Sequence, residues 1–125
     1  MSRLILIVED SEMCRKALGL ALCKLPGIRV HMVEKAEQAL ECLAAENFCA
    51  LITDLRLPEM DGFGLIERVR AQPRYATLPI LVVSGDGDPH TPTRVRELGA
   101  DDYLQKPYSP SEMRTKLDPL IRPIA

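Results

Sequence analysis

Five short runs rich in isoleucine, valine and leucine recur along the chain, at residues 4–8, 28–33, 50–53, 80–83 and 102–104. Their lengths are those of strands, and the first and fourth are apolar almost throughout, the pattern of strands covered on both faces. The fifth, Asp102-Tyr103-Leu104, is weak alone and takes its assignment from its place in the series. Between these runs the period changes to that of a helix. Residues 12–24 align Met13, Ala17, Leu20 and Ala21 on one face, which is predicted to be buried. Residues 35–46 carry Ala36, Ala39, Leu40, Leu43 and Ala44 at the i, i+3, i+4, i+7, i+8 spacing of an amphipathic helix. Residues 63–71 carry Leu65, Ile66 and Val69, and a short segment at 93–98 precedes Gly99. The last helix has the clearest start, because Ser109-Pro110-Ser111-Glu112 places a capping hydroxyl, a proline at the first helical position and an acid at the third. Met113, Leu117, Leu120 and Ile121 form its apolar stripe, and Pro119 is expected to end or kink it.

Strict alternation of strand and helix implies an α/β fold: one doubly wound, five-stranded parallel sheet with five helices on its two faces. The 125 residues suffice for one domain, expected over 1–125, and leave no room for a second of ordinary size. In such sheets ligands gather at the carboxyl ends of the strands, so the polar residues found there carry the functional question.

Composition narrows the answer. Hydrophobic residues make up 46% and charged residues 27%, a globular balance that excludes disorder as the main state. Sixteen basic against eighteen acidic residues leave a net charge of -2, so no basic footprint marks this domain for direct nucleic-acid binding. The longest apolar runs, 4–8 and 48–52, are far short of the ~20 residues that span a bilayer. Glu9 and Asp10 follow the first run at once, so it is not a signal-peptide core, and a cytoplasmic home is the expectation. Cys14, Cys23, Cys42 and Cys49 lack metal or redox spacing and are expected to be reduced, mostly buried thiols.

The strand ends collect a distinctive set. The first ends in Glu9 and Asp10, the third in Asp54, the fourth in Ser84, and Lys106-Pro107 follow the fifth, while Glu34 ends the second without an obvious partner. Carboxylates brought together repel unless a cation relieves them. A hard oxygen site of this kind suits Mg²⁺, which keeps several waters and readily shares itself with a phosphate. A carboxylate beside such a metal can attack phosphorus and become an acyl phosphate, with the metal and a lysine offsetting charge on the transferring group. His31 lies within the second strand and His90 in a loop, so the set has no evident general base for fast turnover.

Val8-Glu9-Asp10, Asp54 with Leu57-Pro58-Glu59-Met60-Asp61-Gly62 after it, Ser84-Gly85, and the run from Gly99-Ala100-Asp101-Asp102-Tyr103 to Lys106-Pro107-Tyr108 resemble the landmarks of the receiver domain of two-component response regulators, a group that includes chemotaxis regulators. The likeness covers nearly the whole chain, in the family's order and spacing. It implies a flavodoxin-like sheet of strand order 2-1-3-4-5. It implies that Asp54 is the phosphoacceptor, that Asp10 binds Mg²⁺ directly and Glu9 through water, and that the backbone carbonyl of Arg56 completes the protein's share of the metal shell. Lys106 resembles the lysine that contacts the phosphoryl group, and Pro107 the proline after a cis peptide bond. Ser84 and Tyr103 resemble the switch pair. Arg56 and Asp86 stand where side chains flank the attacking water in receiver domains, and an ion pair between them, or Arg56 alone, is expected to shield the phosphoryl group and slow its hydrolysis.

Two departures accompany the likeness. Glu9 replaces a commoner aspartate, and Gly85 to Pro92 carries two glycines, two prolines and little promise of regular backbone hydrogen bonds. Thr91 is expected to cap a late-starting fourth helix with Pro92 at its first position. The function implied is that of a regulated phosphoacceptor switch in a phosphorelay, not an enzyme. The implied donor is a sensor histidine kinase or a histidine phosphotransfer protein. The implied output is an unknown downstream protein, an effector domain outside this sequence, or a phosphorylation-dependent homodimer. The alternatives are a Mg²⁺-dependent phosphohydrolase with an aspartyl-phosphate intermediate, for which Asp54-Leu55-Arg56 lacks the second acid, and a receiver-like interaction domain that takes no phosphate.

Overall fold

The computed structural model describes residues 3–121, so the first two and last four positions of the expected 1–125 domain lie outside the described residues. The strands are β1 (Arg3–Val8), β2 (Ile28–Val33), β3 (Ala50–Thr53), β4 (Ile80–Ser84) and β5 (Asp102–Gln105), and the helices are α1 (Glu12–Leu22), α2 (Ala36–Ala45), α3 (Gly62–Arg70), α4 (Thr91–Leu98) and α5 (Pro110–Ile121). All strand pairings are parallel, in the order β2-β1-β3-β4-β5. The 2-1-3-4-5 order and the five helices are therefore those the resemblance implies. A single 3₁₀ turn at Pro73–Tyr75, between α3 and β4, is the one element the periodicity does not reveal.

Successive side chains of the central strands pass to opposite faces of the sheet, and this builds two cores. Leu6, Val8, Leu51, Ile80 and Val82 pack with α2, α3 and Val95 of α4. Ile5, Ile7, Ile52, Leu81 and Val83 pack with Leu18, Ala21 and Leu22 of α1 and Met113 and Leu117 of α5. β1, β3 and β4 are thus sealed on both sides, whereas β2 sits at the edge with Arg29, Val30 and His31 exposed.

Three expectations change. In α1 the buried residues are Leu18, Ala21 and Leu22, while Met13, Ala17 and Leu20 face outward, Met13 at 81% and Leu20 at 70% exposure. Both stripes satisfy the helical period, and the packing of α1 against the sheet and α5 selects the bulkier Leu18–Leu22 stripe. The cysteines are not mostly buried: Cys23 is exposed and the other three are half-buried. Pro119 lies inside α5, which continues to Ile121; its exposed position leaves the last turn packed through Leu117 and Ile121.

Candidate functional site

Register carries the functional side chains to one edge. Val8 of β1 lies opposite Thr53 of β3, so Glu9, Asp10 and Asp54 leave the sheet side by side. Ser84 of β4 lies opposite Gln105 of β5, and the Lys106 amide continues the ladder onto the Ser84 carbonyl at 2.8 Å. The side chain of Lys106 thereby returns over the acids. The Lys106–Pro107 peptide is cis.

Asp54 is 8% exposed. Its Oδ1 accepts the amides of Leu55 at 2.6 Å and Arg56 at 3.3 Å, and its Oδ2 accepts the Lys106 ammonium at 3.0 Å. Glu9 is 1% exposed, with Oε1 on Lys106 Nζ at 2.6 Å and Oε2 on the Ser11 amide at 3.2 Å. Asp10 is exposed. Ligand oxygens of Glu9, Asp10 and Asp54 all lie within 4.8 Å of one another. Burial pushes the Glu9 carboxyl above its ordinary range; the hydrogen bond from Lys106 opposes this, and the Asp54 charge adds to it. For Lys106, burial works against the ammonium, but the hydrogen bonds and charges of Glu9 and Asp54 outweigh it and hold the lysine charged well above its usual range. Three hard carboxylates facing one small volume fit a divalent cation of the Mg²⁺ type.

The β3–α3 connection that holds Asp54 depends on close backbone approach. A Cβ on Gly62 would lie 2.7 Å from Leu55 Cα and closer still to the Asp54 carbonyl oxygen, so only glycine lets α3 start there. The Asp61 carboxylate caps that start by accepting the Gly64 amide at 2.9 Å.

Ser84 is fully buried, and its Oγ accepts the Asp86 amide at 3.2 Å. Tyr103 is 7% exposed, and its hydroxyl donates to the Asp86 carbonyl at 3.2 Å. Burial and the Asp86 charge push the Tyr103 phenol up. Arg56 is exposed, and among the described residues no ion pair joins it to Asp86. The Asp86 carboxylate instead turns into its own loop, where Oδ1 accepts the Asp88 amide at 2.8 Å and Oδ2 accepts the Thr91 hydroxyl at 2.9 Å. These two bonds, with a smaller pull from the Arg56 charge, hold its carboxyl below the usual range. The expected Arg56–Asp86 pair is corrected accordingly: two buried or local donors outcompete an exposed guanidinium screened by water. The segment from Gly85 to Pro92 is also better bonded than its composition suggests, with the His90 amide on Asp88 Oδ1 at 2.9 Å and the Thr91 amide on the Asp88 carbonyl at 3.1 Å. Thr91 is the first residue of α4 and His90 its cap, one position earlier than the sequence suggests.

Several contributors went unread in the sequence. Arg15 bonds the Glu9 carbonyl at 2.9 Å and pairs with Glu34 at 3.2 Å, which gives Glu34 its partner. Cys14 Sγ lies 3.4 Å from Lys106 Nζ. Beside them, Met13, Ala17, Leu20, Pro107, Tyr108 and Pro110 line an open, mostly apolar groove of about 500 Å³ that adjoins Lys106. The outward apolar stripe of α1 was visible in the sequence, but its direction was not.

Comparison with known proteins agrees with this geometry. The family model described as the response regulator receiver domain matches residues 5–118. The transcriptional regulatory protein GltR of Pseudomonas aeruginosa is 35% identical over 120 residues, covering 96% of this chain and 49% of GltR. The chain spans about half the length of the curated relatives it matches. Among solved structures, chemotaxis response regulator CheY4 of Vibrio cholerae superposes with a TM-score of 0.87 at 27% identity, covering 96% of this chain and 99% of that one. The receiver domain of sensor histidine kinase PA1611 from Pseudomonas aeruginosa, solved with a magnesium ion coordinated in its active-site cleft, superposes with a TM-score of 0.86 at 28% identity, covering 97% and 98%.

Proposed function

The chain belongs to the response regulator receiver family, and from that premise we propose that Asp54 is its phosphoacceptor, loaded in the presence of Mg²⁺ by a phosphohistidine on a sensor histidine kinase or a histidine phosphotransfer protein. Receiver domains are phosphoacceptor switches of two-component signalling, not enzymes that turn over a separate substrate. The observation that carries the assignment is the division of labour on Asp54. Two backbone amides fix Oδ1, and Oδ2 lies on the Lys106 ammonium, so the carboxylate is both oriented and flanked by positive charge.

In the transfer an Asp54 oxygen forms the bond to phosphorus, the phosphorus–nitrogen bond of the donor breaks, and the imidazole nitrogen keeps the electron pair. Lys106 follows the charge onto the phosphoryl oxygens, and Ser84 donates its hydroxyl to one of them. Asp10, Asp54 and the Arg56 backbone carbonyl would hold Mg²⁺ directly and Glu9 would hold it through water, in keeping with carboxylate oxygens of Glu9, Asp10 and Asp54 that lie within 4.8 Å of one another, and the bound ion would supply electrostatic stabilisation of the transferring group. Residues 1–125 act as the receiver domain in this scheme.

The groove beside Lys106 supports a place for the donor. Met13 and Leu20 are large apolar side chains left exposed on α1, and the groove they line shares Lys106 with the phosphoacceptor cleft. An apolar helix face carrying the phosphohistidine would cover this stripe while its imidazole reaches Asp54. Among the described residues no helix is long and apolar enough to cross a membrane.

The test is intact-protein mass spectrometry after treatment with acetyl phosphate and Mg²⁺. One added phosphate is expected on the wild type and none on Asp54→Asn; equal labelling of both overturns the assignment and favours another acceptor. Leu20→Glu is expected to slow loading from a phosphohistidine protein while leaving loading from acetyl phosphate unchanged.

A further inference from the structure

Asp86 has every polar group of its residue committed. Its amide donates to Ser84 Oγ at 3.2 Å and its carbonyl accepts the Tyr103 hydroxyl at 3.2 Å. One carboxylate oxygen accepts the Asp88 amide at 2.8 Å, and the other accepts the Thr91 hydroxyl at 2.9 Å. Thr91 is 4% exposed and is the first residue of α4. The His90 side chain, in the cap position, makes no cap bond; the His90 amide is held by Asp88 Oδ1 at 2.9 Å and the Thr91 amide by the Asp88 carbonyl at 3.1 Å. The Thr91 hydroxyl in turn ties the entry of α4 back to residue 86, two residues from the hydroxyl that faces the phosphoacceptor edge.

We infer that Asp86 is a positioning residue that couples the Ser84 hydroxyl to the start of α4 through Thr91. The inference rests on the phosphoacceptor role of Asp54, because that role gives Ser84 a reason to move. A Ser84 hydroxyl that turns toward a phosphoryl oxygen redirects the lone pairs on which the Asp86 amide depends. A part-buried amide without an acceptor is costly, so residue 86 follows its acceptor. The carboxylate travels with it, and through it the hydroxyl of Thr91. The same displacement moves the carbonyl that holds Tyr103. One residue thus links the phosphoryl site to a helix and to an aromatic side chain, with no need for either to touch the phosphoryl group.

A plain capping role predicts something different. If the Asp86–Thr91 bond only anchors α4, its loss loosens the helix equally with and without the phosphoryl group. If it transmits, its loss removes the response. Thr91→Val is the discriminating variant, since it deletes the buried hydroxyl at nearly constant shape.

Hydrogen exchange of residues 91–98 is measured on the whole chain with and without beryllofluoride and Mg²⁺, beside phosphate stoichiometry from acetyl phosphate. The wild type is expected to change its exchange in 91–98 by about threefold or more, and Thr91→Val to take up phosphate equally while losing most of that change. Thr91→Ala removes the same bond, is expected to give the same result, and serves if Thr91→Val does not fold. Full phosphorylation of the variants with the wild-type exchange ratio intact overturns the coupling and leaves the phosphoacceptor reading standing. So does a phosphorylated wild type whose residues 91–98 do not respond. A wild type that takes no phosphate overturns the phosphoacceptor reading, and the coupling falls with it.

Discussion

Replacing Lys106 with methionine keeps most of the side-chain volume and deletes the ammonium that, among the described residues, is alone in bonding both Glu9 and Asp54. The charges stand 2.6 Å and 3.0 Å apart. At an effective dielectric constant of about 20 these separations correspond to gross attractions of roughly 5–6 kcal/mol each, most of which only offsets the cost of holding the groups out of water. The net consequence of removing one partner is set by the two carboxylates left behind, whose side chains are 2% and 10% exposed. Breaking a buried pair in this way costs about 3–5 kcal/mol, and the 19% exposure of the lysine side chain places the expectation near the lower end, about 3 kcal/mol. At an unfolding entropy of about 2.1 cal/mol/K per residue, that is a fall of about 11 °C in melting temperature for a chain of this length. Mg²⁺ should reverse much of it. In the wild type a bound metal would share Glu9 and Asp54 with the ammonium; in the variant it would meet no competing cation. Calorimetric melting in a chelator and then across a Mg²⁺ titration measures both effects. The variant should start lower, respond at lower Mg²⁺, and gain more. A variant that melts within about 3 °C of the wild type in chelator, or that gains no more from Mg²⁺, would refute the view that Lys106 serves as the resident counter-ion of these acids.

Gly62→Ala should cost about 1–3 kcal/mol or more through overpacking against the Asp54 carbonyl and Leu55, and it should also slow loading from acetyl phosphate, since the strained segment carries Asp54; melting and phosphate incorporation check the two effects together. Ser109→Ala removes the hydroxyl that accepts the Glu112 amide at 3.1 Å in a reciprocal capping box, so the melting temperature should fall by about 4 °C while phosphate incorporation stays unchanged. Burial pushes the Tyr108 phenol up to about 12 from its ordinary 10.0, with the Lys106 charge opposing. A raised phenol favours the neutral folded form, so its contribution is whole below pH 10 and is lost as pH rises toward 12. Alkaline difference absorbance should show the highest tyrosinate transition disappear in Tyr108→Phe, and a Tyr108 that ionises near its ordinary value refutes the burial argument.

Much of this protein is legible along the chain because the signals are local. Alternation of short β-branched runs with helical periods specifies a parallel α/β sheet, and the sheet in turn brings its strand ends to one edge, where Glu9, Asp10, Asp54, Ser84 and Lys106 stand in the sequence. The capping box at Ser109 needs only four consecutive residues, and it forms as written. Boundaries shift by a residue or two where frayed ends and prolines compete, as at Thr91.

Packing settled what local pattern left open. Lys106 is 97 residues from Glu9 and 52 from Asp54, and no short-range signal says that one ammonium will sit on both carboxylates. The Asp86 carboxylate has an exposed arginine as one candidate partner and a buried threonine as another, and the loop geometry brings the threonine within bonding distance. Helix α1 shows the division most plainly. Its apolar residues recur at spacings that allow either stripe to be buried, because a helical period defines faces without naming the one that meets the core. The sheet and α5 took Leu18 and Leu22, and Met13 and Leu20 were left at the lip of the phosphoacceptor cleft.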